Sequence, residues 1–540
     1  MVWKKMAFNS DLTAHTGSAS NPHSVTATQV GLGNCNNTSD ANKPISTATQ
    51  TALDTLASYI PYVNVLDFGA LGNGAQDDTT YIQAAINSLS STGGTVYLPP
   101  GTYRTTAALT LNTNGVTLLG AGRQATIIQG SAAAINIIVI GNYSTLTKNN
   151  RVSNLQITSS VVKTAGAAIL VRNGHQTDID RVTLMSNMYY GFQFEGGSSQ
   201  YIYHLSEFEI NSGLNGIIVG HEYASYSGSI CQGLVCRDGD IANVTGVAIK
   251  LEHISGGFFR NVDVISSYEG VGMLPPTGCA VQACWFDTVL GDTCTNNGWE
   301  MTPSGTGFVK EIMLVSCWAS SNTNYGILID SSAGAGLISG VTLTGCRLTG
   351  NYKTGLYITA GVKAISISNL HCIGNSRSGS GSYHGVYLAT GVDGVNFNGG
   401  VCGAGGLYTN YQSYGIYFEG TATNCSIVGV NVSGNITGGI RDTGITAGNT
   451  LMIESCIGHK TRNSGSCTIT AGNTTVVVSH GLASTPAIAE ISLAHSLNPN
   501  LCSAGGYQAW VTNVTSTTFT VNVSEAITSQ TWLYWKVKTR

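Results

Sequence analysis

Between Gly191 and Gly439 one pattern recurs: a glycine, then apolar residues alternating with polar ones. It reads GFQFE from Gly191, GIIVG from Gly216, GVAIK from Gly246, GVGML from Gly270 and GWEMT from Gly298. It continues as GILID from Gly326, GLYIT from Gly355, GVYLA from Gly385, GIYFE from Gly415 and GIRDT from Gly439. Successive glycines lie 24 to 30 residues apart, a single period with loop-length scatter. In nine of the ten units the first and third residues after Gly are apolar, as at Phe192 and Phe194 or Ile327 and Ile329, and a period of two predicts a strand with one buried face. A second strand per unit is predicted at 152–157, 178–184, 206–210, 260–264, 343–348 and 366–372. One unit cannot bury its apolar face alone, whereas stacked units bury a continuous column. The pattern therefore predicts an all-β parallel β-helix, about twelve coils at about 4.8 Å each and roughly 60 Å long. Asn187, Asn215, Asn297, Asn322, Asn351 and Asn435 shortly precede the glycines and are read, with Gly, as residues for tight φ > 0 corners.

Solenoid ends expose strand edges and need covers. An amphipathic helix is predicted over Thr79 to Leu89, with Asp77 and Asp78 at its start and Ile82, Ala85, Ile86 and Leu89 over the first coil. After Gly458 the glycine-led pattern stops. Residues 461–540 read as a separate β domain in which Trp510, Trp532, Tyr534 and Trp535 are core, interface or glycan-contact candidates.

Composition narrows the class. Charged residues are 10% of the 540 and Gly is 68, which excludes a mainly helical chain; Pro, at 10, is too scarce for a disordered one. A net charge of -4 provides no footprint for a phosphate backbone, so nucleic acid is not an expected partner. No apolar run of about 20 residues predicts membrane insertion, and MVWKKMAFNSDLTAH shows no export signal. The fourteen cysteines read as reduced and buried, with Cys317, Cys346 and Cys372 pointing inward. The C-x4-C pairs Cys231/Cys236 and Cys279/Cys284 lack a matching His pair, and no metal or other cofactor is expected.

Catalysis needs a site as well as a fold. With Phe208, Gly239 and Val262 set inward in three successive coils, their outward neighbours are Glu207 and Glu209, Asp238 and Asp240, and Asn261 and Asp263, with Asp287 a member in the next coil. In a chain with 28 acids this is the densest local group. Carboxylates on adjacent coils raise one another's pKa, and a proton-holding acid beside an ionised carboxylate is the requirement of glycoside hydrolysis. Separations of one to two coils favour an inverting arrangement, at about 6.5–9.5 Å. Solvated surface acids, a cation site or a subunit interface are the alternatives. Arg237, Arg260, Tyr268, Trp285 and Asp287 are expected to bind substrate around the acids. Tyr357, Tyr387 and Tyr417 occupy one outward position in successive coils and predict an aromatic stripe for sugar stacking or intersubunit packing. His221, Glu222, Glu252, His253 and Glu269 are second-choice acid/base candidates, and Tyr223 and Tyr226 are groove candidates.

Two segments carry a resemblance. The run VNVLDFGALGNGAQDDTTYIQAAI, followed by GGTVYLPPGTY, resembles the opening of the pectate-lyase-like β-helix family, with Asn73 where the family usually carries Asp. The string NPHSVTATQVGLGNCNNTSDANKPIS resembles the neck segment of bacteriophage tail fibres and tail spikes. Together they imply a right-handed parallel β-helix in a homotrimeric virion tail spike assembled in the host cytoplasm. The implied divisions are a neck at 1–61 attached to a phage tail or baseplate protein, a β-helix at 62–460, and a C-terminal β-sandwich at 461–540 for trimerisation or glycan binding. A short neck helix is expected from Ile45 to Leu56. The implied activity is depolymerisation of a bacterial surface polysaccharide (capsule, exopolysaccharide or O-antigen) by carboxylate-catalysed hydrolysis. A polysaccharide lyase and a non-enzymatic receptor-binding adhesin are the competing readings.

Overall fold

The computed structural model describes residues 25–26, 28–31, 45–59, 62–197, 202–220, 230–331, 337–403, 409, 411–442, 450–495, 508–526 and 531–539. Met1–Ile60 and Pro61–Arg540 are separate compact units. In the first, helix α1 spans Thr47–Tyr59, overlapping the expected neck helix, and its described side chains are exposed. Most of the neck-like string before it lies outside the described residues.

In the second unit the glycine-led segments pair in parallel as one sheet of thirteen strands, running in chain order from Leu109–Leu111 to Gly438–Arg441. One inward apolar residue of each unit stacks on the next, the first after Gly except in the unit from Gly246, where it is the third: Phe192, Ile217, Ile249, Val271, Trp299, Ile327, Leu356, Val386, Ile416 and Ile440 are in register, and all are buried. Three earlier rungs, ending at Ala167–Arg172, lack the full glycine-led string. This is the predicted parallel β-helix.

The second strands of the coils form a parallel sheet on the other side of the core. Those relevant to the site are β1 (Tyr203–Gly213), β2 (Leu234–Val244), β3 (Phe258–Ile265) and β4 (Ala280–Asp292). They are not straight. A left-handed residue stands at one register position in each, at Glu207 (φ 50°), Asp238 (56°), Asn261 (51°) and Thr288 (55°), and turns the chain from one outer face to another. The same line continues through Ser316, Gly345 and Asn369, so the expected strand at 343–348 is divided between Leu337–Thr344 and Arg347–Thr349. Phe208, Gly239 and Val262 are in register just past the bend and point inward, as do Cys317, Cys346 and Cys372. The twelve described cysteines are unbridged, and all except Cys456 are buried.

The asparagines before the glycines serve mainly another purpose than the one expected. Asn187 is left-handed, at φ 63°, but Asn322, Asn351 and Asn435 are not. They belong to a ladder of side-chain amides inside the coil. Asn322 Nδ2 donates to Asn351 Oδ1 (2.9 Å), Asn351 to Asn375 (2.8 Å), Asn375 to Gln412 Oε1 (3.0 Å) and Gln412 Nε2 to Asn435 Oδ1 (3.0 Å). Each of the three asparagines Asn322, Asn351 and Asn375 also donates to a backbone carbonyl, so burial leaves these polar groups paired.

Helix α2 (Thr79–Ser88) caps the N-terminal end with Ile82, Ala85 and Ile86 buried, and Leu89 follows, also buried. Its first turn is held by Asp77, whose Oδ1 accepts from the Thr79 amide (3.1 Å) and hydroxyl (2.5 Å). Asp78 turns back to accept from the amides of Leu71 and Gly72. Past the last coil, Arg462–Ile469, Thr531–Lys538 and Ile491–His495 make one three-stranded antiparallel sheet, and Thr475–Ser479, Thr518–Val523 and Ala509–Thr512 make another. Ile469, Val478, Phe519, Val521, Leu533 and Trp535 fill the core between them, a sandwich distinct from the solenoid core, while Trp510, Trp532 and Tyr534 are exposed.

Candidate functional site

The left-handed bend separates two outward columns on β1 to β4. Past it, Glu209, Asp240 and Asp263 stand in register on three consecutive rungs, with Thr183 before and Leu290 after. Adjacent members have backbones about 4.8 Å apart. Burial, then the charge of Asp240, pushes the Asp263 carboxyl above its ordinary range. On the bend itself Asn261 Nδ2 donates to Asp238 Oδ1 (2.9 Å), and Arg237 pairs with Asp238 (3.1 Å); Glu207 occupies the same line one rung earlier.

Before the bend, Arg237 and Arg260 are direct neighbours, and Arg260 in turn faces Asp287 (3.4 Å). This corrects one expectation: Asp287 does not extend the acid column. It falls one residue short of the bend and therefore projects from the other face, in the arginine column. Beside it, Val235, Phe258, Trp285 and Met313 form a further outward line. The rings of Phe258 and Trp285 stack at 4.6 Å and 11°, both substantially exposed. With Arg237, Arg260 and Asp287 they line an open concavity of about 570 Å³.

The remaining candidates lie elsewhere. Tyr268 is exposed on the turn after β3, at the opposite end of that strand from Phe258. Tyr357, Tyr387 and Tyr417 are in register on the glycine-led sheet, as expected, in later coils than the acids. Their rings stack on one another at 4.5 and 5.4 Å, within 11° of parallel. Arg441 lies over Tyr417. Neighbours thus occupy both faces of Tyr387, and its hydroxyl is engaged by Glu419 and Tyr357. His221, Glu222, Tyr223 and Tyr226 lie outside the described residues. Glu252 pairs with Lys250 (2.5 Å), and His253 is buried, its Nδ1 accepting from the Ala280 amide.

Sequence reasoning passed over one pair. His204 Nδ1 hydrogen-bonds Asp178 Oδ1 at 2.7 Å across adjacent rungs, both side chains nearly half exposed, at the head of the line that continues as Val235, Phe258 and Trp285. The outward position of His204, two residues before Ser206, was the available signal. Among the described residues no group of three or more acidic, His or Cys side chains is arranged to hold a metal ion.

Residues 62–273 match the model of the family described as rhamnogalacturonase A/epimerase, pectate lyase-like. Mannuronan C5-epimerase AlgE6 of Azotobacter vinelandii is 39% identical over 149 residues, a match covering 24% of this chain and 17% of the epimerase. The chain thus spans about a sixth of the length of that relative. Among solved structures, tailspike protein 3 of bacteriophage CBA120 is similar with a TM-score of 0.53 and 14% identity, over 83% of this chain and 68% of that one. A tailspike mutant of Escherichia coli bacteriophage HK620, in complex with a pentasaccharide, is similar with a TM-score of 0.51 and 12% identity, over 90% and 94%. At these identities the structural likeness establishes the fold: a pectate-lyase-like β-helix of the kind found in phage tailspikes.

Proposed function

We propose that this protein is a phage tail spike that binds a bacterial surface polysaccharide and cleaves it by hydrolysis at the Glu209–Asp240–Asp263 column. The observation carrying this is three carboxylates in register on one outer face, one of them held toward its protonated form. Asp263 serves as general acid. Glu209, two rungs away, activates water, and a separation of two rungs favours an inverting enzyme over a retaining one. Asp240 between them keeps the proton on Asp263. Asp238, Glu207 and the Arg237–Arg260–Asp287 column hold the glycan at the rim, with Phe258 and Trp285 as its apolar contact. The fold shared with a tailspike crystallised on a pentasaccharide supports the substrate class. The neck-like string supports a homotrimer attached through residues 1–61, with the rod at 62–460 and the sandwich at 461–540.

The test is incubation with purified capsule or O-antigen of the host. Oligosaccharide release is expected from the native protein and at least a hundredfold less from Asp263→Asn. Proton NMR of the first product should show an inverted anomeric centre. Full cleavage by both Asp263→Asn and Glu209→Gln would overturn the site. Unchanged polymer length despite tight binding would establish an adhesin.

One observation favours a second reading. His204 fixed by Asp178, one rung before the strand that carries Arg237, with Arg260 on the rung after, is an arrangement suited to removing a proton near a sugar carboxylate, and a mannuronan epimerase is among the relatives by sequence. Ultraviolet absorbance of an unsaturated product, lost in His204→Gln, would select the lyase.

A further inference from the structure

A second pair of acids sits on the glycine-led sheet, outside the column described above. Lys250, Gly272 and Glu300 are successive residues of one outward line. Gly272 has no side chain, and the space one would take is occupied: Glu269 Oε1 lies 2.9 Å from where a Cβ would be. The Glu269 carboxyl is thereby folded back into the line between Lys250 and Glu300. Glu269 is 3% exposed. Its Oε2 accepts from Asn296 Nδ2 (3.0 Å), whereas Oε1 is enclosed with no donor among the described residues. Glu300 Oε2 accepts from Asn297 Nδ2 (2.9 Å). The other ionisable groups facing the pair are Lys250, already engaged by Glu252, and the buried thiol of Cys294. Two ionised carboxylates side by side in this enclosure would repel, and Oε1 would be an acceptor without a donor.

We propose that Glu269 and Glu300 form a buried proton-binding site, in which the Glu269 carboxyl stays protonated at neutral pH and its O–H donates to the Glu300 carboxylate. A single proton removes the repulsion and gives the enclosed oxygen its bond. Burial first, and Glu300 second, push the Glu269 carboxyl up to about 9, in keeping with this geometry. The consequence is a proton-linked joint in the middle of the rod, independent of any reading of the acid column. The unfolded chain releases this proton near pH 4.3, the ordinary Glu value, while the folded chain keeps it, so the folded state binds more protons over the interval and stability falls as pH rises across it.

Glu269→Gln supplies a permanent amide donor and cannot ionise. Thermal unfolding midpoints at one scan rate are measured from pH 5 to 9 for the native protein, Glu269→Gln and Glu300→Gln, with infrared spectra of the folded proteins at pH 7. The native midpoint is expected to fall with pH, and Glu269→Gln to melt progressively higher than native toward pH 9. The protonated-carboxyl stretch present in native protein at pH 7 is expected to be missing from Glu269→Gln. Glu300→Gln, lacking the repelling neighbour, should lose the same stretch at lower pH than native. A Glu269→Gln profile parallel to native, or an infrared difference between them showing no protonated carboxyl, would overturn the proposal. Should Glu269→Gln fail to fold, the pH at which native protein and Glu300→Gln lose the stretch decides: coincident titrations overturn it.

Discussion

Gly239 is a glycine because Phe208 occupies the space of its side chain. A Cβ at 239 would lie 2.1 Å from the end of the Phe208 ring. Gly239→Ala is therefore expected to destabilise by about 1–3 kcal/mol, the range for overpacking a close-packed core. Adding Phe208→Ala opens the room, so the double variant should be more stable than the sum of the singles, a coupling read from denaturant midpoints. Equal additive losses would show that the ring does not set the identity of residue 239. The acid column makes a second prediction at this scale. Asp263 must carry a proton to act as an acid, and Asp240 helps to keep it there after burial. Activity is thus expected to decline as pH rises through the Asp263 value. In Asp240→Asn that alkaline limb should move to lower pH, with the acidic limb set by another group. An unmoved alkaline limb would separate Asp263 from the role assigned to it.

The strand faces were readable because a period of two is written within five residues. The inward line from Phe192 to Ile440 follows directly from it, as does the Tyr357–Tyr387–Tyr417 stripe. What the period could not mark is the left-handed bend. Asn154, Asp238 and Gly345 are residues that suit such a position chemically, but Glu207 and Thr288 occupy it too, and neither favours φ > 0. The asparagine ladder was likewise visible as residues but not as a structure, since an amide suited to a corner is equally suited to bridging rungs. Removing one member tests it. Asn351 accepts from the amides of Asn322 and donates to Asn375 and to the Ala319 carbonyl. Asn351→Ala leaves several buried groups unpaired and is expected to cost at least about 2 kcal/mol. Hydrogen exchange should accelerate most in the coils that flank it. A loss no larger than that of an exposed Asn→Ala change would mean the ladder adds no stability.

The solenoid and the C-terminal sandwich have cores that share no residue. Their junction is made by groups such as Thr461, bonded to the Ile453 and Thr539 backbones, and an Arg462–Glu454 ion pair. A chain ending at Lys460 is accordingly expected to keep a protease-resistant rod with native β circular dichroism, and loss of cooperative unfolding would show the sandwich to be part of the rod's stability. Stacked coils, their inward residues, the covering helix and a separate closing β region are all properties of local alternation and turn chemistry, and these the amino-acid order determined unaided. Which polar side chains meet was decided only in three dimensions. His204 reaches Asp178 and Glu269 reaches Glu300 across whole coils, and Asp287 leaves the acid column because a single left-handed residue intervenes. Burial acts on each strand separately, whereas outward neighbours depend on the summed lengths of loops that vary between 24- and 30-residue repeats, so a difference of one residue moves a carboxylate to another face.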